Sequence, residues 1–354
     1  MLKKRVKIKY ISHLIYPKMK LFGKTPDGKE VNSYELINSK GAKLEVINYG
    51  ATVSSLKIPL KNGELVDVVL GFDNLENYIN SFDLPSAPYL GTTVGRYAGR
   101  INNAVFTLNG ETIHLEKNNN GNSLHGGDNN FSKRVWDVKA VNEGSNPSIT
   151  LTYLSPANEG NYPGDLSIEL TYTLSEDNEL IIGYVAKTTE DTAVNLTHHS
   201  YFNLDGHSGS VVNQKLTVNT KQVLEVKLDC IPTGRVLEVD NTPFDFFTQK
   251  NCPTSIDNTF VLKSKEELAA ILFSEKNNLK MTVYTDQPGV HIYVGGNCFN
   301  KIKGKENADY HTLSGICFET QNFPDAPNHK HFPNSILKKG DTYSHNTTYK
   351  FETL

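Results

Sequence analysis

The sequence predicts an all-β fold, a large antiparallel β-sandwich with few short helices. Three observations predict it: apolar and polar residues alternate over several stretches, turn residues separate those stretches, and helical periodicity is thin. Strands and helices do not alternate along the chain, which argues against a parallel α/β sheet. Two large sheets packed face to face are therefore expected.

The clearest alternation lies in SIELTYTL, residues 167–174. Its apolar side chains share one face of an extended chain, and these are Ile168, Leu170, Tyr172 and Leu174. SITLTYL (residues 148–154) and KLTVNT (residues 215–220) alternate in the same way. Such stretches indicate strands that are half-buried against a core.

Turn signals separate the predicted strands at Asn62, at Asn109 and near Asp177. Asn109-Gly110 is the strongest of them, because a tight primed hairpin turn needs two residues that tolerate positive φ. The sequence therefore predicts hairpins rather than long crossovers at these places.

Helical signals are weak throughout the chain. A capping-box pattern runs from Ser264 to Glu267 and predicts a helical turn that leads into a strand at residues 270–273. NNLKMTVYT, residues 277–285, is then the expected hairpin partner of that strand.

Domain organisation is predicted to be simple. Residues 1–18 are interpreted as a basic N-terminal extension, and residues 19–354 as a single β-sandwich domain, since no repeat or low-complexity linker divides them. The basic N-terminus lacks the unbroken apolar run of a signal peptide, being interrupted at Lys7 and Lys9. No stretch approaches the roughly 20 apolar residues of a membrane span. The formal net charge of -3 makes a nucleic-acid partner a poor expectation.

Cysteine usage indicates a reducing compartment, and the cytoplasm is the expected location. The four cysteines form no C-x-x-C pair and are too sparse for a disulfide framework; they are Cys230, Cys252, Cys298 and Cys317. Asn130, Asn195 and Asn346 match the N-glycosylation pattern, which carries little weight without an export signal.

Candidate functional residues lie in a few unusual strings. VGRYAGRI holds Arg96 and Arg100 in a glycine-rich run, where each is either a ligand-binding group or a structural arginine. NSLHGG places His125 before two glycines, so this histidine is expected on a loop or sharp turn, where it is a functional candidate or a structural histidine.

Three further strings complete this set. In NLTHHSYFNL, His198 and His199 are neighbours in an extended chain, so their rings must point to opposite faces. SIDNTFVL holds Asp257 beside an apolar strand, either as a turn former or as a site residue. In GICFETQNFPDAPN, Glu319 stands near a strand end before a proline-rich loop, a good position for lining a pocket.

Metal and nucleophile motifs are almost absent. His329 and His331 have i, i+2 spacing, but neither H-E-x-x-H nor a cysteine set nor an acidic calcium loop accompanies them. No G-x-S-x-G supplies a serine nucleophile, and no dinucleotide or P-loop glycine motif is present.

Taken together and in this order, the strings resemble the aldose 1-epimerase (galactose mutarotase) family. NYGATVSSLKIP, VVLGFDNLENY, VGRYAGRI, NSLHGG, THHSYFNL, DQPGVHIY and FETQNFPDAPN carry the resemblance, which runs from Phe22 to the C-terminus. It implies a β-supersandwich fold, interconversion of the α and β anomers of aldohexoses such as D-galactose and D-glucose, and no metal or cofactor. The expected partner is a monosaccharide, and the expected assembly is a monomer or homodimer, with no nucleic acid or membrane involved.

The resemblance also implies roles for individual residues. Glu319 matches the family's catalytic base and His199 its catalytic acid, while His125, Arg100 and Asp257 match its sugar-binding residues. Three positions depart from the pattern: His198 where many relatives have Asn, Gly99 where some have a sugar-binding Asn, and His291 where a Gln often binds the substrate. His291 is predicted to bind substrate in its place. Trp136, the single tryptophan, is expected to pack in the core rather than to stack on the sugar.

Two other functions compete with this interpretation. A hexose-6-phosphate 1-epimerase on a related fold would need basic residues aimed at a phosphate, and the sequence shows no such cluster. A non-catalytic sugar-binding or sensor domain would be favoured by loss of either proton-transfer group, yet both Glu319 and His199 are present.

Overall fold

The computed structural model describes residues 18–263 and 267–354. Strands make up most of its regular structure. In chain order the strands of this part are β1 (Lys18–Lys24), β2 (Glu30–Ile37), β3 (Lys43–Ile47), β4 (Thr52–Pro59), β5 (Leu65–Asp67), β6 (Thr93–Val94), β7 (Arg100–Ile101), β8 (Val105–Leu108), β9 (Glu111–His114), β10 (Ser123–Leu124), β11 (Asp137–Asn142), β12 (Ser148–Ser155), β13 (Leu166–Leu174), β14 (Glu179–Thr188), β15 (Thr192–Ala193), β16 (Thr197–His198), β17 (Tyr201–Phe202), β18 (Lys215–Val218), β19 (Gln222–Val226), β20 (Pro232–Glu238), β21 (Lys250–Asn251), β22 (Ile256–Val261), β23 (Glu267–Ser274), β24 (Leu279–Thr285), β25 (Gly289–Val294), β26 (Ile316–Gln321), β27 (Ile336–Leu337) and β28 (Tyr343–Thr353).

Helical structure is short, as the sequence predicts. One α-helix, α1 (Leu75–Ser81), begins after Asn74, whose side chain accepts a hydrogen bond from the backbone of Asn77. The described part also has six single-turn 3₁₀ helices, which are Asn102–Ala104, Phe131–Lys133, Glu159–Asn161, Val211–Asn213, Lys305–Asn307 and Ala326–Asn328. No helix in the described ranges is long and apolar enough to cross a membrane.

Three antiparallel sheets form the body of the fold. The first has the order β1-β2-β3-β4-β5, the second is nine-stranded with the order β11-β12-β13-β14-β28-β24-β23-β18-β21, and the third is six-stranded with the order β17-β26-β25-β22-β19-β20. Four two-stranded pairs complete the described strands: β7 with β10, β6 with β16, β8 with β9, and β15 with β27.

The core lies between these sheets. A single apolar cluster joins Leu44 of the first sheet, Leu170 of the second and Phe260 of the third. The nine- and six-stranded sheets also meet through Tyr349, whose hydroxyl donates to the carbonyl of Phe318 at 2.7 Å. The ring of Tyr349 lies 4.9 Å from that of Phe202, centroid to centroid. This face-to-face packing confirms the predicted β-sandwich.

Local sequence signals explain several of these elements. β13 alternates as predicted, with Ile168, Leu170 and Tyr172 all buried. Asn109 and Gly110 form the two-residue turn between β8 and β9, both with positive φ. Residues 277–285 contain β24, which pairs with β23 as expected.

Two predictions reach beyond the described residues. Ser264, the start of the capping-box pattern, lies outside them, but its other end was predicted wrongly: Glu267 already belongs to strand β23, because pairing with β24 extends the strand to this residue. Residues 1–17 of the predicted basic extension also lie outside them, and β1 begins at Lys18 as the edge strand of its sheet. The division into an extension and a single domain therefore stays a prediction.

Candidate active site

One face of the six-stranded sheet carries a row of polar side chains. β25 runs between β22 and β26, and His291 lies directly opposite Glu319 on one side and Thr259 on the other. A second row, two residues along, pairs Tyr293 with Cys317 and with Asp257. Because every second residue of a strand shares a face, all six side chains belong to one surface of the sheet.

His199 reaches this surface from the segment after β16. Its backbone N–H donates to Thr92 and its carbonyl accepts from Gly91, which fixes the chain at this point. Its Nε2 lies 3.4 Å from Oε1 of Glu319, and both side chains are almost fully buried. On the other edge of the ring, Nδ1 lies 3.7 Å from the thiol sulfur of Cys317. The imidazole is thus held between a thiol and a carboxylate.

His198 points away from that surface, as strand alternation predicts. Its Nε2 lies 2.6 Å from the hydroxyl of Ser200, and its Nδ1 lies 3.5 Å from the hydroxyl of Tyr172. Burial and the neighbouring His199 charge lower the pKa of His198 to about 3. It is therefore a neutral side chain of the interior at physiological pH.

His125 enters the pocket from the loop after β10, with a positive φ of 53°. Its Nδ1 accepts a hydrogen bond from the backbone of Gly99 at 3.3 Å. Its ring contacts the rings of Tyr89 and His199, with centroids 5.0 and 5.4 Å apart. Burial, together with the charges of His199 and Arg100, lowers the pKa of His125 well below its usual value. Because Nδ1 accepts from Gly99, the neutral ring carries its proton on Nε2, which is left as a donor for a ligand in the pocket.

Asp257 is the centre of a charged network at the side of the pocket. Its Oδ1 lies 2.9 Å from Nε2 of His291, and its Oδ2 lies 3.7 Å from the guanidinium of Arg100. Nδ1 of His291 lies 2.9 Å from the hydroxyl of Thr259, so both ring nitrogens of this histidine have protein partners. Arg100 is also fixed by Asn119, which accepts from its Nε at 3.1 Å.

The charges of this network reinforce one another. Burial alone would raise the pKa of Asp257 and lower that of His291. Their hydrogen bond and mutual attraction outweigh burial, so the pKa of Asp257 is lowered and that of His291 is raised. Both shifts favour the ion pair of an ionised Asp257 with a protonated His291.

These side chains enclose one pocket, with a volume of about 720 Å³ including its mouth. The six sequence-predicted site residues all line it, and these are Arg100, His125, His199, Asp257, His291 and Glu319. Three tyrosines add apolar walls with polar edges: Tyr89, Tyr201 and Tyr293.

Comparison with known proteins decides the family. The family model described as aldose 1-epimerase matches residues 32–350. The chain belongs to the aldose 1-epimerase family.

Relatives within this family cover nearly the whole chain. Galactose mutarotase from Bos taurus is 37% identical over 342 residues, covering 94% of this chain and 97% of the relative. Aldose 1-epimerase from Escherichia coli (strain K12) is 32% identical over 343 residues, covering 92% and 96%. Among solved structures, the GalM/aldose epimerase homologue from C. elegans matches with a TM-score of 0.83 at 31% identity, covering 90% of this chain and 98% of that one.

Arg96 and Trp136, two residues considered in the sequence analysis, have structural positions. Arg96 is fully buried, and its guanidinium donates to the carbonyls of Ser155, Pro156, Pro163 and Gly164. Trp136 is buried against Phe131 and Tyr153, which confirms its predicted place in the core. Neither residue lines the pocket.

His329 and His331, the histidines with i, i+2 spacing, each contact a protein group. Nε2 of His329 lies 3.2 Å from Asp325, and Nε2 of His331 lies 2.7 Å from the carbonyl of Gly234. Among the described residues, the group whose donor atoms meet is instead His125, His199 and Glu319, all within 4.8 Å of one another. Two imidazoles and a carboxylate are a donor set that suits zinc.

Sequence reasoning missed several pocket residues of this family member. Tyr89, Thr259 and Cys317 touch the predicted site residues, and Gln321 lines the pocket. Cys317 and Gln321 could have been predicted as pocket residues once Glu319 was chosen. They lie two residues before and after it on β26, so they share its face. Tyr89 and Thr259 gave no comparable local signal.

Proposed function

We propose that this protein is an aldose 1-epimerase that interconverts the α and β anomers of aldohexoses such as D-galactose and D-glucose. The observation that carries the proposal is the buried contact of 3.4 Å between Nε2 of His199 and Oε1 of Glu319 in a pocket of polar and aromatic side chains. A carboxylate and an imidazole side by side form a base and an acid for proton transfer.

The spacing of these two groups suits the chemistry of the anomeric carbon. Glu319 takes the proton from the C1 hydroxyl while His199 gives a proton to the ring oxygen, and the bond between C1 and the ring oxygen breaks. The C1 oxygen becomes the aldehyde oxygen of the open chain. Because both oxygens are bonded to C1 in the ring form, the acid and the base must be close neighbours.

Ring closure completes the cycle. Rotation about the C1–C2 bond presents the other face of the aldehyde to the C5 hydroxyl. The C5 hydroxyl attacks C1 and returns its proton to His199, while Glu319 returns its proton to the new C1 hydroxyl. No proton is gained or lost over a turnover. Positioned acid–base groups typically contribute about 10²- to 10⁴-fold, which suffices for a reaction that proceeds slowly in water without a cofactor.

The remaining groups orient the sugar. His125, Arg100 and Asp257 present donors and acceptors to hydroxyls that do not change during turnover. His291 lines the same wall and holds Asp257 ionised through their 2.9 Å contact. Their fixed geometry keeps C1 between Glu319 and His199.

The competing functions fit the site less well. Among the described residues that line the pocket, Arg100 is the only Lys or Arg, and it already lies beside Asp257. A dianionic sugar phosphate would need more positive charge than this. A sensor domain would not need the paired acid and base.

Polarimetry tests the proposal. Fresh α-D-galactose and α-D-glucose should relax to their equilibrium rotation faster with the protein than without it. Glu319→Gln should remove most of that acceleration, because an amide cannot accept the hydroxyl proton. Glu169→Gln, the same change at an exposed carboxylate of β13 that pairs with Lys139, is the matched control and should keep the wild-type rate. Binding of sugar without acceleration would contradict the proposal.

We also propose a cytoplasmic location and a monomeric or homodimeric assembly. All four cysteines are free thiols, and three of them are buried, which suits a reducing compartment. Cell fractionation and light scattering of the purified protein test these two statements.

A further inference from the structure

Gln321 is a buried amide without a partner at the sugar pocket. Its side chain lines the pocket, and the residue is only 1% exposed. Neither its amide nitrogen nor its amide oxygen is hydrogen-bonded to any residue in the described part of the chain. Buried side-chain polar atoms in folded proteins nearly always have a partner, so two such atoms on one side chain need an explanation.

The position of Gln321 in the sheet places it next to the catalytic pair. Cys317, Glu319 and Gln321 alternate along β26, so they share the face that His199 contacts. One repeat of the strand, about 6.8 Å, separates neighbouring members of this row. The residue opposite Gln321 on β25 is Gly289, which has no side chain to offer the amide a partner.

A structural amide in the same protein looks different. Asn195 is equally buried, but its amide nitrogen donates to the carbonyls of Ala98 and Asn322, and its oxygen accepts from the backbone of Asn322. Those bonds tie two loops together and explain why an amide is present. Gln321 makes no comparable bond within the described chain, and an apolar side chain would fill the same space without burying two polar atoms.

We propose that Gln321 is a substrate-binding residue whose amide forms hydrogen bonds with a sugar hydroxyl other than the one at C1. This inference rests on the proposed epimerase function. A hydroxyl both donates and accepts, and an amide offers one oxygen acceptor and two N–H donors, so the two groups are complementary. The distance along β26 puts the amide beyond the reaction centre at C1 and toward another part of the ring.

The interaction gives the enzyme selectivity for sugars that carry this hydroxyl. A site built to hydrogen-bond a hydroxyl rejects an analogue that lacks it, because its own polar atoms then stay buried and unpaired. Gln321 therefore selects among sugars, whereas Glu319 and His199 act on every aldose that binds.

Gln321→Leu is the first test, with the purified full-length chain and D-galactose. We expect KM to rise at least tenfold with little change in kcat, and the midpoint of thermal unfolding to stay the same or rise. Gln214→Leu is the matched control, because Gln214 is a buried amide whose bonds are to Asn203 and Leu204. It should lower the unfolding midpoint and leave KM unchanged. Gln321→Met serves if the leucine variant does not fold.

Deoxy sugars identify the hydroxyl and decide the inference. kcat/KM is measured for wild type and Gln321→Leu with D-galactose and with its 2-, 3-, 4- and 6-deoxy analogues. For one analogue, the kcat/KM values of the two proteins should become equal, because the hydroxyl that binds Gln321 is missing from that sugar. Two results would overturn the inference and leave the epimerase function standing. In the first, the wild type is active and Gln321→Leu has the same kcat/KM. In the second, Gln321→Leu loses the same factor in kcat/KM on every sugar. A wild-type protein that accelerates no sugar would refute both.

Discussion

Nε2 of His199 lies 3.4 Å from Oε1 of Glu319, although the two residues come from distant segments of the chain. His199 follows β16, which pairs with β6, whereas Glu319 is part of β26 in the six-stranded sheet. The contact exists because the segment after β16 lies over the face of the six-stranded sheet that carries Glu319 and Cys317. In the proposed reaction, this contact pairs the acid with the base.

The first prediction concerns the interdependence of these two groups. His199→Asn should lower kcat by about 10²- to 10⁴-fold, the usual contribution of a positioned acid or base. Adding Glu319→Gln should cause little further loss, since each proton transfer needs the other. Polarimetric kcat values for the two single variants and the double variant check this, and fully multiplicative losses would contradict it.

His198→Asn is the matched control for that experiment. The same substitution one residue earlier changes a ring that faces Tyr172 and Ser200 rather than the pocket. We expect kcat and KM close to wild type, with the effect confined to stability. A hundredfold loss of kcat in this variant would show that the two histidines do not have separate roles.

The second prediction concerns the pH dependence of stability at Asp257 and His291. The pKa of His291 is raised in the folded protein, so its contribution is complete below the unfolded value of about 6.5 and is lost as pH rises through the folded value. His291→Gln should therefore lower the unfolding midpoint more at pH 6 than at pH 9. Thermal unfolding of both proteins at the two pH values measures this, and a larger effect at pH 9 would contradict it.

At Asp257, the pH dependence of the contribution to stability has the opposite sign. Its folded pKa is lowered, so its contribution is present above the unfolded value of about 3.8 and is lost as pH falls through the folded value. Asp257→Asn should accordingly destabilise the protein at neutral pH. Its effect should be smallest in acid, which the same unfolding series records.

The third prediction concerns a buried ion pair outside the sugar site. Nζ of Lys305 lies 2.8 Å from Asp67 and donates to the carbonyl of Ser54 at 2.6 Å, while His207 lies 3.5 Å from the same carboxylate. Lys305→Met leaves Asp67 buried without its main partner, which typically costs about 3–5 kcal/mol. Urea unfolding should show this loss in the free energy of unfolding.

A double variant provides the control for the ion pair. Asp67→Asn combined with Lys305→Met removes both charges, so the protein should regain part of the stability lost in Lys305→Met alone. Mutarotation by the folded fraction should be unaffected in both variants, because neither residue lines the sugar pocket. Equal stability of the single and double variants would show that the lone carboxylate is not the cause.

The fourth prediction concerns metal ions. A chelator should leave the mutarotation rate unchanged, because the proposed proton transfers use only side chains. Added Zn²⁺ should inhibit in competition with sugar, since the donor atoms of His125, His199 and Glu319 lie within 4.8 Å of one another. Mg²⁺ should have no such effect because it prefers oxygen ligands. Loss of activity on chelation, restored by Zn²⁺, would contradict the proposed mechanism.

Much of the local structure follows from the sequence. The alternation of residues 167–174 identifies β13, and Asn109-Gly110 identifies a hairpin turn, because both signals depend only on neighbouring residues. The opposed rings of His198 and His199 follow from the same strand geometry. The family motifs likewise identified six residues that line one pocket.

Other features depend on partners that are distant in the chain. The bond between Asp257 and His291 needs the register of β22 against β25, which no local pattern specifies. The exposure of a residue is also a tertiary property: Asn195 matches a glycosylation pattern but is fully buried, with its amide bonded to the backbone. Helix α1 was not predicted, since a seven-residue helix has too little periodicity.

The sequence by itself determined several of the strands, among them β12, β13 and β24, the turn at Asn109-Gly110, and which residue types are available for acid–base chemistry. Those properties are set by backbone geometry and side-chain chemistry within a few residues. Only the tertiary structure decided that β26 lies beside β25, that His199 meets Glu319, and that Gln321 is buried without a partner in the described chain. Strand pairing and sheet packing bring together residues more than a hundred positions apart, and their contacts depend on the whole core rather than on any one segment.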